Sequence, residues 1–133
     1  MRFSYLFFLV LSIVFLFSCE NKNTYTIEGK IKGLESSELY IVTKQNPSLI
    51  IDTIQAKDGK FNFEASSDSL KPVIIYMEKG SVWITVWAQN SDKITLAGDA
   101  HYPELMVVKG GEVNNLLSEF KEDNKDIIKE RIE

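Results

Sequence analysis

Residues 49–65 read LIIDTIQAKDGKFNFEA. Two runs, Leu49–Ala56 and Lys60–Ala65, flank Lys57-Asp58-Gly59. Asp-Gly suits the centre of a type I′ turn, because both central residues need positive φ and these two adopt it at little steric cost. In the second run Phe61, Phe63 and Ala65 share one face and Asn62 and Glu64 the other. That period of two marks a half-buried strand. The spacing predicts a β-hairpin, and with it a β protein.

The same period recurs outward from this hairpin. Thr24–Ile31 puts Tyr25, Ile27 and Ile31 on one face, and Glu38–Lys44 sets Leu39, Ile41 and Thr43 against Tyr40 and Val42. Val73–Glu78 follows Pro72, a residue tolerated at a strand's first position. Val82–Gln89, Lys93–Ala97 and Leu105–Lys109 complete the series. About eight short strands separated by turn residues predict an all-β fold, a small antiparallel β-sandwich over residues 24–110.

The period changes in the tail. Val113, Leu116, Leu117 and Phe120 recur at helical spacing, and Ile127, Ile128 and Ile132 prolong the stripe. Glu119, Lys121, Glu122, Asp123, Lys125, Asp126, Lys129, Glu130 and Arg131 supply the polar positions. This predicts a C-terminal amphipathic helix over residues 111–133. Gly110-Gly111 ahead of it reads as a chain reversal, the other reading being an anion site at the helix start.

The N-terminus belongs to a different class of segment. Phe3–Phe17 is almost wholly apolar behind Arg2, and at about 15 residues it falls short of the roughly 20 that span a bilayer core. It fits the apolar region of a secretory signal. Leu16-Phe17-Ser18-Cys19 follows directly and resembles the bacterial lipobox. That resemblance implies cleavage after residue 18, a diacylglycerol thioether on Cys19, and residues 19–23 as a lipidated tether. Attached acyl chains hold a protein at a membrane by burying methylenes, each worth about 0.8 kcal/mol. Glu20, not Asp, follows Cys19, which points to the outer membrane of a bacterial envelope, on its periplasmic side or its surface.

Composition narrows the chemistry. The chain has 133 residues, 15 Lys+Arg against 19 Asp+Glu, a net charge of −4, one cysteine and one histidine. That length suits one domain, and the acidic balance offers no basic surface for nucleic acid. A single cysteine excludes a disulfide within the chain and a CxxC redox pair. His101, in Asp99-Ala100-His101-Tyr102-Pro103, is read as a surface loop residue; a general base or metal ligand is the alternative. The serines at 36, 37, 66, 67 and 69 lie in loops without a nucleophile motif. We therefore expect no catalytic residue, no metal and no cofactor. On Val82–Gln89, Val82, Ile84, Val86 and Ala88 fill one face and Trp83, Thr85, Trp87 and Gln89 the other. Both faces are apolar, so each needs a cover. Either the tail helix or the other sheet covers the Trp face, or Trp83, Trp87 and Tyr76 form an exposed aromatic platform for a protein or glycan.

The order of these segments resembles a known family. Tyr25–Leu34 (YTIEGKIKGL), Leu39–Val42 (LYIV), Ile51–Ile54 (IDTI), Asp58–Phe63 (DGKFNF), Ile94–Asp99 (ITLAGD) and Val108–Asn115 (VKGGEVNN) look like domain-of-unknown-function family 4369, over about residues 24–120. The resemblance implies the β-domain that precedes a thioredoxin-fold domain, of thiol-disulfide interchange or peroxiredoxin-like type, in envelope lipoproteins. It supplies no catalytic residue, and without CxxC no redox activity carries over. The expectation is a lipid-anchored, non-catalytic binding module. The alternative is a stand-alone or truncated N-terminal part of an oxidoreductase lipoprotein working with a thioredoxin-fold partner.

Overall fold

The computed structural model describes residues 23–34, 37–43, 46–77 and 83–132. The apolar leader and Cys19 lie outside them. Among the described residues, eight strands form two four-stranded sheets. The strands are β1 (Tyr25–Lys32), β2 (Ser37–Thr43), β3 (Asn46–Ala56), β4 (Lys60–Ala65), β5 (Lys71–Met77), β6 (Trp83–Ala88), β7 (Lys93–Asp99) and β8 (Val107–Lys109). One sheet has the order β4-β1-β7-β8 and the other β3-β2-β5-β6. A 3-10 turn, Pro103–Leu105, precedes β8, and two helices, α1 (Glu112–Asp123) and α2 (Lys125–Ile132), close the chain.

The alternation read from the sequence becomes the core. Tyr25, Ile27 and Ile31 of β1, Phe61 and Phe63 of β4, and Ile94 and Leu96 of β7 face Leu39 and Ile41 of β2, Val73 and Ile75 of β5, and Ile84, Val86 and Ala88 of β6. Each large aliphatic side chain so buried contributes about 1.5–3 kcal/mol. Tyr25 and Phe63 meet edge-on, ring centroids 6.2 Å apart, and burial raises the Tyr25 phenol's pKa. Gly29 sits opposite Phe61 on the inner face, and a Cβ there would fall 2.0 Å from the Phe61 ring. The missing side chain is what lets that ring lie flat on β1.

Three features depart from the sequence reading. Asp58 and Gly59 do take positive φ, at 52° and 75°, and Lys57 and Lys60 exchange both backbone hydrogen bonds across them, at 2.9 and 3.0 Å. Yet the ladder stops there: β3 pairs with β2, and β4 with β1. The turn is a corner between the sheets. It is held by the Ile31 N–H donating to the Gly59 carbonyl at 2.8 Å, and a Cβ on Gly59 would meet the Ile31 carbonyl oxygen at 2.2 Å. Second, β1 and β7 run parallel, so the sandwich is antiparallel everywhere except at the centre of one sheet. Long connections through the other sheet separate these two strands, and a parallel pair requires such a crossover.

Third, the tail helix is broken at Asn124, which ends α1 with φ −109° and ψ 17°. The Asn124 side-chain amide donates to the Phe120 carbonyl at 2.8 Å, a local bond that competes with helix continuation. The second helix then brings Ile132 and Lys129 beside Tyr102 and Leu105.

Candidate interaction surface

The seat of α1 is polar. Two sheet edges, β6 and β8, lie on the same side of the sandwich, and α1 runs along them. Asn114, 2% exposed, accepts from the Trp87 N–H at 2.9 Å and donates to the Trp87 carbonyl at 2.7 Å. It also donates to the Gly110 carbonyl at 2.7 Å. One turn on, the buried Ser118 hydroxyl accepts from the Val108 N–H at 2.9 Å and donates to the Val108 carbonyl at 2.7 Å. Asn115 accepts from the Gly110 N–H at 2.9 Å, and Lys121 donates to the Met106 carbonyl at 3.1 Å. These carbonyl and N–H groups are ones an edge strand leaves without a partner. Side chains of α1 supply the bonds that a ninth strand would have made.

Partial burial lowers the Lys121 pKa, and the nearby Glu104 carboxylate opposes that shift. The space beneath the helix is a cleft of about 430 Å³ lined by residues that include Ile84, Thr85, Glu104, Val108, Leu117 and Lys121.

Seating α1 on this polar seam turns its apolar stripe outward. Leu116 is 58% exposed, Leu117 47%, Phe120 64% and, on α2, Ile127 60%. A stripe at helical spacing normally marks the side that packs on the core. Here the packing side is Asn114, Ser118 and Lys121, at i, i+4 and i+7. The sequence offered a signal for this: Asn114, Asn115 and Ser118 are short, uncharged polar residues, unfavourable within a helix unless their side chains serve another purpose.

Register brings Tyr76 beside Trp83 and sets Trp87 four residues further along β6. Tyr76 pairs with Tyr40 on one side and Trp83 on the other, and Trp87 pairs with Pro72. Tyr40, Tyr76 and Trp87 are half-buried. The described hydrogen bonds from α1 reach β6 at the Trp87 backbone. Tyr40 donates to Glu38 at 2.8 Å.

His101 sits in an exposed loop, its Nδ1 and its backbone N–H both 2.9 Å from the same Asp99 oxygen. The backbone bond first, and then the ring bond, hold the Asp99 carboxyl below its ordinary pKa. Among the described residues no group of three or more His, Cys, Asp or Glu is placed to hold a metal. Gly110 and Gly111 take φ of 103° and 78° and reverse the chain into α1, and the Gly110 N–H is spent on Asn115. No helix among the described residues is long and apolar enough to cross a membrane.

A family model described as Domain of unknown function (DUF4369) matches residues 25–117, more than half of the chain, covering all eight strands and the first half of α1. No curated protein and no solved structure matches the chain.

Proposed function

The chain belongs to the DUF4369 family, and on that premise we propose that it is a lipid-anchored, non-catalytic module of the bacterial cell envelope whose work is binding. The observation that carries the binding role is the outward stripe of Leu116, Leu117, Phe120 and Ile127. Exposed side chains of this size on the two tail helices favour an occupant, because covering them removes apolar area from water. The anchor rests on Cys19, the chain's one cysteine, placed directly behind the apolar leader. In this reading the acyl chains hold the sandwich at the membrane and the stripe receives a protein partner.

The same stripe favours a second reading, in which the occupant is a thioredoxin-fold domain and the chain is the companion half of a thiol-disulfide oxidoreductase lipoprotein.

Two experiments test these statements. Mass spectrometry of the mature N-terminus, with membrane fractionation of wild type and Cys19→Ala, reads the anchor. Acyl mass on a membrane-bound wild type and a soluble variant support it, and a retained leader contradicts it. A photocrosslinking residue at Leu116, with one at the exposed Glu28 as control, reads the contact in cells. A discrete adduct from position 116 alone supports the binding role, and a thioredoxin-fold protein in that adduct selects the second reading. No adduct, or equal adducts from both positions, contradicts the stripe as the contact.

A further inference from the structure

Each sheet has two edge strands, and an open edge is a template for another strand unless something blunts it. Three of the four edges here are blunted. The β8 edge is covered by Asn114, Asn115, Ser118 and Lys121, as described. The β3 edge contains Pro47 and Asp52, and its register against β2 slips at Ile41/Val42 and Val42/Thr43. The β4 edge alternates Lys60 and Glu64 with its core residues. The β6 edge differs. Its sequence, WITVWA, has no charge, no proline and no glycine, and its register against β5 is unbroken.

The hydrogen-bonding parity of β6 follows from one fact. The Trp87 N–H and carbonyl both go to Asn114, so they point away from β5. This agrees with the register, which sets Trp87 opposite Pro72, a residue with no N–H to give. In an antiparallel strand every second residue shares that direction. The N–H and carbonyl of Thr85 and Trp83 therefore also point out of the sheet. Thr85 lies on the cleft beneath α1, beyond the reach of the Asn114 cap. Asn114 imitates a strand at one position of this edge, and among the described residues no hydrogen bond from outside the sheet reaches the next positions.

We propose that the β6 edge at Trp83–Thr85 is a β-augmentation site that takes an extended, uncharged peptide segment of another polypeptide. The segment adds beside β6 and exchanges backbone hydrogen bonds with Thr85. The apolar cleft walls, Ile84, Val108 and Leu117, receive one of its side chains. This mode of recognition draws affinity from main-chain bonds and selectivity from the pocket for alternate side chains. The site shares Leu117 with the outward stripe of α1, so Thr85 reports on the site, and Leu116 and Phe120 report on the stripe.

The test is an NMR titration of the purified full chain with a capped Thr-Val heptapeptide, and with the same peptide N-methylated at every residue. The Thr85 N–H exchanges about tenfold more slowly with the first peptide and is unchanged with the second. Thr85→Pro abolishes binding, because it removes an outward N–H without taking a ladder bond from β5, and edge strands accept proline. Thr85→Val binds as wild type does. No binding at millimolar peptide overturns the proposal. So does binding indifferent to N-methylation, or binding that shifts Leu116 and Phe120 and leaves Thr85 unmoved. The methylated peptide keeps the test decisive if Thr85→Pro fails to fold.

Discussion

The two faces of α1 invert the usual arrangement of a surface helix. The inward face carries Asn114, Ser118 and Lys121, and the outward face Leu116, Leu117 and Phe120. The sandwich fills its own interior from the inner faces of its sheets and has little need of a helix to cover apolar surface. It does have two edges on one side, with backbone groups that require partners. A buried amide left without a bond costs more than a bond gained from water returns. The helix therefore sits where those groups are, and its apolar stripe faces out.

The contrast is most severely broken at Asn114. Asn114→Ala deletes bonds to Trp87 and Gly110 at once and should cost about 3 kcal/mol, read as a lower urea midpoint. An unchanged midpoint would mean the seam is not what seats α1. Ser118→Ala removes one donor and one acceptor from Val108, and a loss of about 1–2 kcal/mol is expected from the same measurement.

Lys121 sharpens the contrast because its bond is bought with burial of charge. Lys121→Met should change stability by less than about 1 kcal/mol at neutral pH, the lost bond offset by relief of desolvation. The sign with pH follows from the lowered pKa. Between that value and the ordinary 10.5 the unfolded chain binds the extra proton, so stability rises as pH increases through this window. The rise should be smaller in Lys121→Met. The smallest effect belongs to the outward face. Leu116→Gln with Phe120→Gln should leave stability within about 0.5 kcal/mol of wild type. A loss of several kcal/mol would show that the stripe is packed against the domain.

The sandwich was largely legible in the sequence, and the reason is physical. Period-two alternation in Tyr25–Ile31, Phe61–Ala65 and Ile84–Ala88 reports burial directly, since a one-residue slip would turn each inner set to water. The turn at Asp58-Gly59 was legible too, because its positive φ restricts residue choice. Its consequence was not: the same two residues serve a hairpin or a corner, and the contact that decides, Ile31 to Gly59, lies far away in sequence. The parallel β1–β7 pair has no local signature for the same reason. At the candidate site, the stripe of α1 was legible as amphipathic, and amphipathicity alone assigns the apolar side to the core. Asn114 and Ser118 reverse that assignment through bonds to Trp87 and Val108, strands that no helical period can reveal. The register joining Tyr76 to Trp83 likewise becomes visible only once β5 and β6 pair.

Residue-resolved hydrogen exchange along the two edges tests the seating of α1 most directly. The Trp87 and Val108 N–H groups, bonded to Asn114 and Ser118, should exchange slowly, while Thr85, two residues from Trp87 on the same edge, exchanges rapidly. Trp87 should lose its protection in Asn114→Ala. Equal rates at Trp87 and Thr85 in the wild-type protein would contradict a helix held by its polar face.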